Sequence, residues 1–194
     1  AHWYRAIERQ MAEAGVKIWA AREEALMHIH TSQERAETAF PTASLTLINA
    51  ENVEVPKNSE EFSAILAEYR GRDIIAGRTL AGPHRDDLYG VFAAKNVPAK
   101  DSSTGEQKAL LISLILANGR ALKEQTGIPP ILLLDEVAAH LDAGRRAALY
   151  DEICALGAQA WMTGTGAELF EELGTRAQYL LVSETDGKSQ VELK

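Results

Sequence analysis

Cysteine occurs once in the 194 residues, at Cys154, so neither an internal disulfide nor a cysteine-rich metal site can organise the chain. Long apolar runs are missing as well, and none approaches the roughly 20 residues needed to cross a bilayer, so no membrane partner is expected. Positive charge is short: 20 Lys and Arg stand against 28 Asp and Glu, for a net charge of -8. A domain that holds nucleic acid by bulk electrostatics shows a basic face in its composition, so this balance argues against that mode of binding. Also absent is any Gly-x-x-x-x-Gly-Lys-Ser/Thr sequence, the loop whose backbone amides cradle nucleotide phosphates. No signal peptide, internal repeat or low-complexity stretch is found. These absences predict a soluble, cytoplasmic chain. Its 46% hydrophobic content suffices for one or two buried cores. Ala1 enters a helical pattern without an initiator methionine or a cap, so the chain reads as a truncated segment.

Residues 1–40 read as a helical arm. Trp3, Ile7, Met11, Ile18, Leu26 and Ile29 recur at helical spacing up to about Glu37, with no proline and only Gly15 as a weak point. A coiled coil, two bundle helices or one amphipathic core helix would each give this pattern. Pro41 ends it, and residues 41–126 form an α+β region. Ser44 to Ile48 reads as a strand, Ser59 to Arg70 as a serine-capped helix closed by Gly71 and Asp73, and Asp87 to Ala93 as a strand followed by a turn. Glu106 to Thr126 is a long helix. Residues 127–194 alternate: strand Ile131 to Leu134, helix Arg145 to Leu156, strand Gln159 to Thr163, short helix Glu168 to Leu173, strand Tyr179 to Val182. Alternation of this kind implies an α/β fold with a partly parallel sheet flanked by helices. Cys154 is expected to be a core thiol, and Trp3, Trp19 and Trp161 to be packing residues.

Two motifs carry chemistry. The run Ile131-Leu-Leu-Leu134 leaves Asp135 and Glu136 at the carboxyl end of a strand, where open α/β sheets place their ligands. Asp135 is suited to hold Mg²⁺ through water and Glu136 to act as general base, although apolar strands also end in acids for no catalytic reason. About thirty residues upstream, Ser102-Ser-Thr-Gly-Glu-Gln-Lys108 opens a helix. Ser103 offers a hydroxyl and Gly105 permits close backbone approach, which together make an anion-binding helix start; a plain serine cap is the bland alternative. Arg70, Arg72, Arg78, His84 and Arg85 form the densest basic cluster. They could face DNA or a dimer interface, or pair with Asp86 and Asp87 as a structural network, and the sequence favours the network.

The two motifs in this order and separation resemble the ATP-binding-cassette ATPases, in which a signature loop precedes a Walker B strand. Ala138-Ala-His140-Leu141-Asp142 resembles the D-loop of that family, and Thr163 and Thr165 stand at its switch position, where transporters typically carry histidine. The block Gly77-Arg78-Thr-Leu-Ala-Gly82-Pro83-His84-Arg85-Asp86-Asp87-Leu88 resembles the RecF family of DNA-repair ATPases, as do Pro98-Ala-Lys100, Ala14-Gly-Val-Lys-Ile18 and Ala21-Arg22. That family is similar to the heads of structural-maintenance-of-chromosomes (SMC) proteins, so the resemblance implies the carboxyl-terminal half of an ABC/SMC-like ATPase head, lacking Walker A. It departs from the commoner pattern at Glu106, where glutamine is usual, and at His140, where an acid is usual.

The resemblance further implies an ATP-dependent homodimer. ATP would be sandwiched between two heads, met in trans by Ser103, Thr104, Gly105 and Glu106, with Mg²⁺ at Asp135 and Glu136 catalytic. It implies DNA repair, recombination, replication and the SOS response, with recognition of single-strand/double-strand junction DNA, RecO- and RecR-type partners, recombinase loading and slow DNA-dependent ATP hydrolysis by the complete protein but not by this segment. A non-catalytic dimerisation module and an ABC transporter domain are the alternatives.

Overall fold

The computed structural model describes residues 2–49 and 54–194, apart from the side chains of His2 and His140. They fall into two units, residues 1–37 with 41–121, and residues 38–40 with 122–194.

In the first unit the arm is a single helix, α1 (His2–Arg35). It shares a core with α2 (Ser59–Ala76), in which Trp19, Phe62, Leu66 and Ala81 are buried. Trp19 and Phe62 meet edge to face, with ring centroids 4.8 Å apart. Gly15 makes the crossing possible, because a Cβ there would lie 2.5 Å from Cε1 of Phe62. α2 differs from expectation at both ends. Asn58, not Ser59, is its cap, accepting from the Glu61 amide at 2.9 Å, while Glu61 returns a bond to the Lys57 amide. The helix also runs through Gly71 and stops at Gly77, which adopts the left-handed conformation (φ 65°) that glycine tolerates.

β1 (Ala43–Asn49) pairs antiparallel with β2 (Asp86–Phe92) over its whole length, and β3 (Val97–Pro98) adds a short third strand. The buried Gln33 near the end of α1 fixes where β1 starts, since its amide exchanges two hydrogen bonds with the backbone of Ala43. Asp86 opens β2 with its side chain 2% exposed. It accepts from Trp19 Nε1, from Asn49 at 2.8 Å and from Arg22 at 3.4 Å. α3 (Thr104–Thr126) follows.

In the second unit β4 (Leu132–Leu134) and β5 (Ala160–Met162) pair in parallel, joined through α4 (Ala143–Leu156). Asp142 caps α4, and Gly157 ends it at φ 70°. Tyr150, fully buried on α4, donates to the Leu169 carbonyl at 2.6 Å, and burial pushes its hydroxyl up to about 12. The short helix expected after β5 is a 3-10 turn, Ala167–Leu173. Arg146 grips Glu172 there with two hydrogen bonds and holds that carboxyl below its usual range.

Parallel pairing is confined to β4 and β5 among the described residues. β6 (Leu180–Thr185) instead pairs antiparallel with β7 (Lys188–Leu193) across a turn at Asp186 and Gly187, both with positive φ. Nor is the Ile131–Leu134 run buried on both sides. Leu132 and Leu134 are covered, whereas Leu133 is 78% exposed beside its register partner Trp161, at 56%. A strand alternates its faces, so only every second leucine reaches the core. Trp19 is the one buried tryptophan among those described, since Trp3 is also exposed. Cys154 lies at the surface, on the outer face of α4 rather than in the core.

Candidate phosphate-binding and carboxylate sites

In the first unit, a 3-10 turn at Ala99–Asp101 leads into α3. Gln107 reaches back and donates to the carbonyls of Lys100 and Ser102, both at 3.1 Å, which fastens the approach to the helix. Ser103 is exposed at the helix start. Its amide and its hydroxyl both donate to Oε2 of Glu106, at 2.9 and 2.8 Å, and the Glu106 amide points back at the Ser103 hydroxyl at 3.4 Å. This reciprocal arrangement is a capping box. Oε1 of Glu106 takes a second cation, the ammonium of Lys95. The Lys95 contact first, then the two bonds from Ser103, lower the Glu106 carboxyl to about 2. Thr104 is exposed, and a Cβ at Gly105 would meet nothing within 4 Å. The space beside Gly105 is therefore open on the side where a Cβ would stand.

In the second unit, Asp135 and Glu136 are exposed beyond β4, as the strand pattern predicts. Thr163, just past β5, links them: its hydroxyl donates to Oδ1 of Asp135 and accepts from the Glu136 amide at 3.0 Å. The Thr163 amide continues the parallel ladder by donating to the Leu134 carbonyl at 3.1 Å, which sets the hydroxyl at this height. Glu136 has φ 47° and ψ 26°, a left-handed conformation that costs a non-glycine residue about 1–3 kcal/mol. Thr165 is exposed two residues further on. Of the D-loop residues, Leu141 is buried at 6% exposure and Asp142 is occupied in capping, accepting from the Arg145 amide at 2.9 Å. The His140 side chain lies outside the described residues. Among those described, no group of three or more His, Cys, Asp or Glu could hold a metal ion by itself. Asp135 can therefore supply one carboxylate to a hydrated cation rather than a complete cage.

The basic cluster does not form the network expected of it. Asp86 belongs to Arg22, Trp19 and Asn49. Asp87 accepts from the neighbouring Leu88 amide, Arg70 pairs with Glu8 at 2.6 Å, and Arg72 lies over the Tyr69 ring. Asp86 is claimed by a residue of α1, a contact between segments 64 positions apart that local sequence cannot reveal. Arg78, His84 and Arg85 instead line an open recess with Met11 and Thr79. His84 Nε2 contacts the Thr79 carbonyl at 2.9 Å, and Nε of Arg85 is buried without a hydrogen-bond partner among the described residues.

Lys95 is the residue that sequence reasoning missed. It sits in the turn between β2 and β3, eleven positions before Glu106, outside any helical or strand periodicity that would pair the two.

The serine-capped helix start and the strand-end acid pair tied to a following threonine stand in an α/β fold shared with solved heads of the RecF and Smc type. The chain superposes with a TM-score of 0.70 on a structure described as the recombination mediator protein RecF with ATP in the RecFOR pathway, at 22% identity, covering 99% of this chain and 51% of that one. With the Smc head domain from Pyrococcus furiosus, bound to the C-terminal domain of ScpA, the TM-score is 0.50 at 18% identity, over 92% of this chain and 37% of that one. No protein-family model matches. Over 187 residues the chain is 48% identical to the DNA replication and repair protein RecF of Rhizobium meliloti (strain 1021), covering 93% of this chain and 50% of that protein. Over nearly its whole length the chain is similar to curated proteins named RecF, and it spans about half the length of the relatives it matches.

Proposed function

We propose that this chain is the signature- and Walker B-bearing, carboxyl-terminal half of a cytoplasmic, ATP-dependent DNA clamp of recombinational repair. The observation that carries the reading is the link made by Thr163, which holds Asp135 and the Glu136 amide together in the open at the end of a parallel strand. In the complete protein, two copies would close face to face. The Ser103 hydroxyl and the helix-start backbone at Thr104, Gly105 and Glu106 would meet the γ-phosphate of nucleotide held by the opposite copy, with His140, Leu141 and Asp142 at the same boundary. Asp135 would hold Mg²⁺ through water. Glu136 would take a proton from the attacking water, so that hydrolysis removes the bridge between the copies. Bound nucleotide supplies the phosphoryl bond that is broken; this chain supplies donors, a metal-facing carboxylate and a base.

The exposed pair Leu133 and Trp161 supports the presence of a further layer on this sheet, because adjacent large apolar side chains rarely stay in water. Closure would enclose DNA at single-strand/double-strand junctions, with the recess of Arg78, His84 and Arg85 on a DNA-facing or inter-subunit surface. RecO- and RecR-type proteins would be its partners in loading recombinase. Hydrolysis would be slow and DNA-dependent, and this chain alone would show none. Glu136→Gln in the complete protein should trap an ATP-bound dimer, and Ser103→Arg should abolish ATP-dependent dimerisation. Unchanged hydrolysis in Glu136→Gln would remove Glu136 as the base.

A further inference from the structure

The start of α3 contains an electrostatic conflict. The proposed γ-phosphate ligand is Ser103, yet both donors of Ser103 are already given to a carboxylate, Oε2 of Glu106. That carboxylate is ionised at neutral pH, as any glutamate is, and its contacts with Lys95 and Ser103 hold it below the usual carboxylate range. A second anion brought to the same donors would face a fixed negative charge one hydrogen bond away, at the position where a helix start otherwise favours anions.

Lys95 resolves the conflict by its placement. Its ammonium binds Oε1, the oxygen that Ser103 does not use, so the carboxylate is divided between the serine on one side and a cation on the other. The lysine is itself held. Its amide donates to the Phe92 carbonyl at 3.2 Å, its ammonium lies 5.5 Å from the centre of the Phe92 ring, and the next residue, Asn96, adopts φ 53° to close the turn. Exposed at 56%, the side chain keeps its charge in contact with solvent.

We infer that Lys95 is a positioning residue of the signature helix, which neutralises Glu106 and keeps its carboxylate in place while Ser103 turns to an incoming phosphate. The inference rests on the trans-phosphate role proposed above for Ser103. Without Lys95, Glu106 would both retain Ser103 and repel the anion.

A double-mutant cycle in the complete protein tests it, reading the ATP concentration for half-maximal dimerisation by analytical ultracentrifugation. Lys95→Met keeps the apolar stem on Phe92 and removes the charge. It should raise that concentration about three- to tenfold, the scale of a charge near a helix end. On a Glu106→Gln background the same Lys95→Met change should alter it less than about twofold, and Lys95→Arg should behave as the parent. An equal penalty on both backgrounds would overturn the inference, because Lys95 would then act through something other than the Glu106 charge. No penalty on either would overturn it too. Ser103→Arg separates the levels: if that variant still dimerises with ATP, the trans-phosphate reading fails and this one falls with it. If Ser103→Arg abolishes dimerisation while Lys95→Met is silent, only the role of Lys95 is lost.

Discussion

Gly15 and Gly71 both lie inside helices, and replacing each by alanine should shift stability in opposite directions. Intrinsic propensity favours alanine over glycine in a helix by about 1 kcal/mol, and this gain applies at both sites. At Gly71 nothing lies within 4 Å of the added Cβ, so the whole gain should appear. At Gly15 the Cβ would meet Phe62 at 2.5 and 3.0 Å, against an unstrained carbon separation of about 3.5–4.0 Å. The ring must move by about 1 Å, but it is only 2% exposed and already edge-on to Trp19. Overpacking of this kind costs about 1–3 kcal/mol, so Gly15→Ala should be net destabilising by about 1 kcal/mol, some 2 kcal/mol away from Gly71→Ala. Hydrogen exchange of the α1 and α2 amides in the complete protein reads this local stability directly. Adding Phe62→Leu to Gly15→Ala should recover part of the loss by narrowing the ring's footprint. If Gly15→Ala stabilised α1 as much as Gly71→Ala stabilises α2, the close crossing of the two helices would be refuted.

Thr163→Val deletes the hydroxyl shared by Asp135 and the Glu136 amide, and bonds to a charged group contribute about 1.5–3 kcal/mol when sheltered and less in the open. ATP hydrolysis by the complete protein should fall about tenfold, with Thr163→Ser close to the parent; equal rates for Val and Ser would discard the link. Glu106 is depressed in the folded state, so the stability it lends the start of α3 is complete above its ordinary 4.5 and disappears as pH falls toward 2. NMR titration should put its midpoint near 2 and move it upward in Lys95→Met. Asp86→Ala leaves Arg22, Trp19 and Asn49 without their shared acceptor, and should cost about 3 kcal/mol in denaturation midpoint measurements scaled by m.

Much of this arrangement was legible because it is local. Period and punctuation located the four helices and most strands, and the acids beyond Leu134 and the serine before α3 could be read from single short windows. What escaped was set by distant contacts or by competing caps. Gly71 looks like a stop until Gly77 offers a left-handed residue six positions later, and Asn58 rather than Ser59 caps α2, accepting from the Glu61 amide while the Glu61 carboxylate accepts from the Lys57 amide. The hairpin of β6 and β7 did have a signal, Asp186-Gly187 between alternating residues, which is the usual mark of a tight turn between strands. The Lys95–Glu106 contact had none, since a charge pair across a turn leaves no period in the sequence. The arginines were misassigned for the same reason, Asp86 being claimed by α1.

The backbone of Glu136 points to a tension between durability and use. A residue twisted to φ 47° would be more comfortable as glycine or asparagine. A library of this protein sorted only for resistance to heat should therefore accumulate those replacements at position 136, and the survivors would have discarded the carboxylate that the complete protein is proposed to use. Persistence of glutamate there under purely thermal selection would mean that the twist is supported by neighbours well enough to carry no penalty.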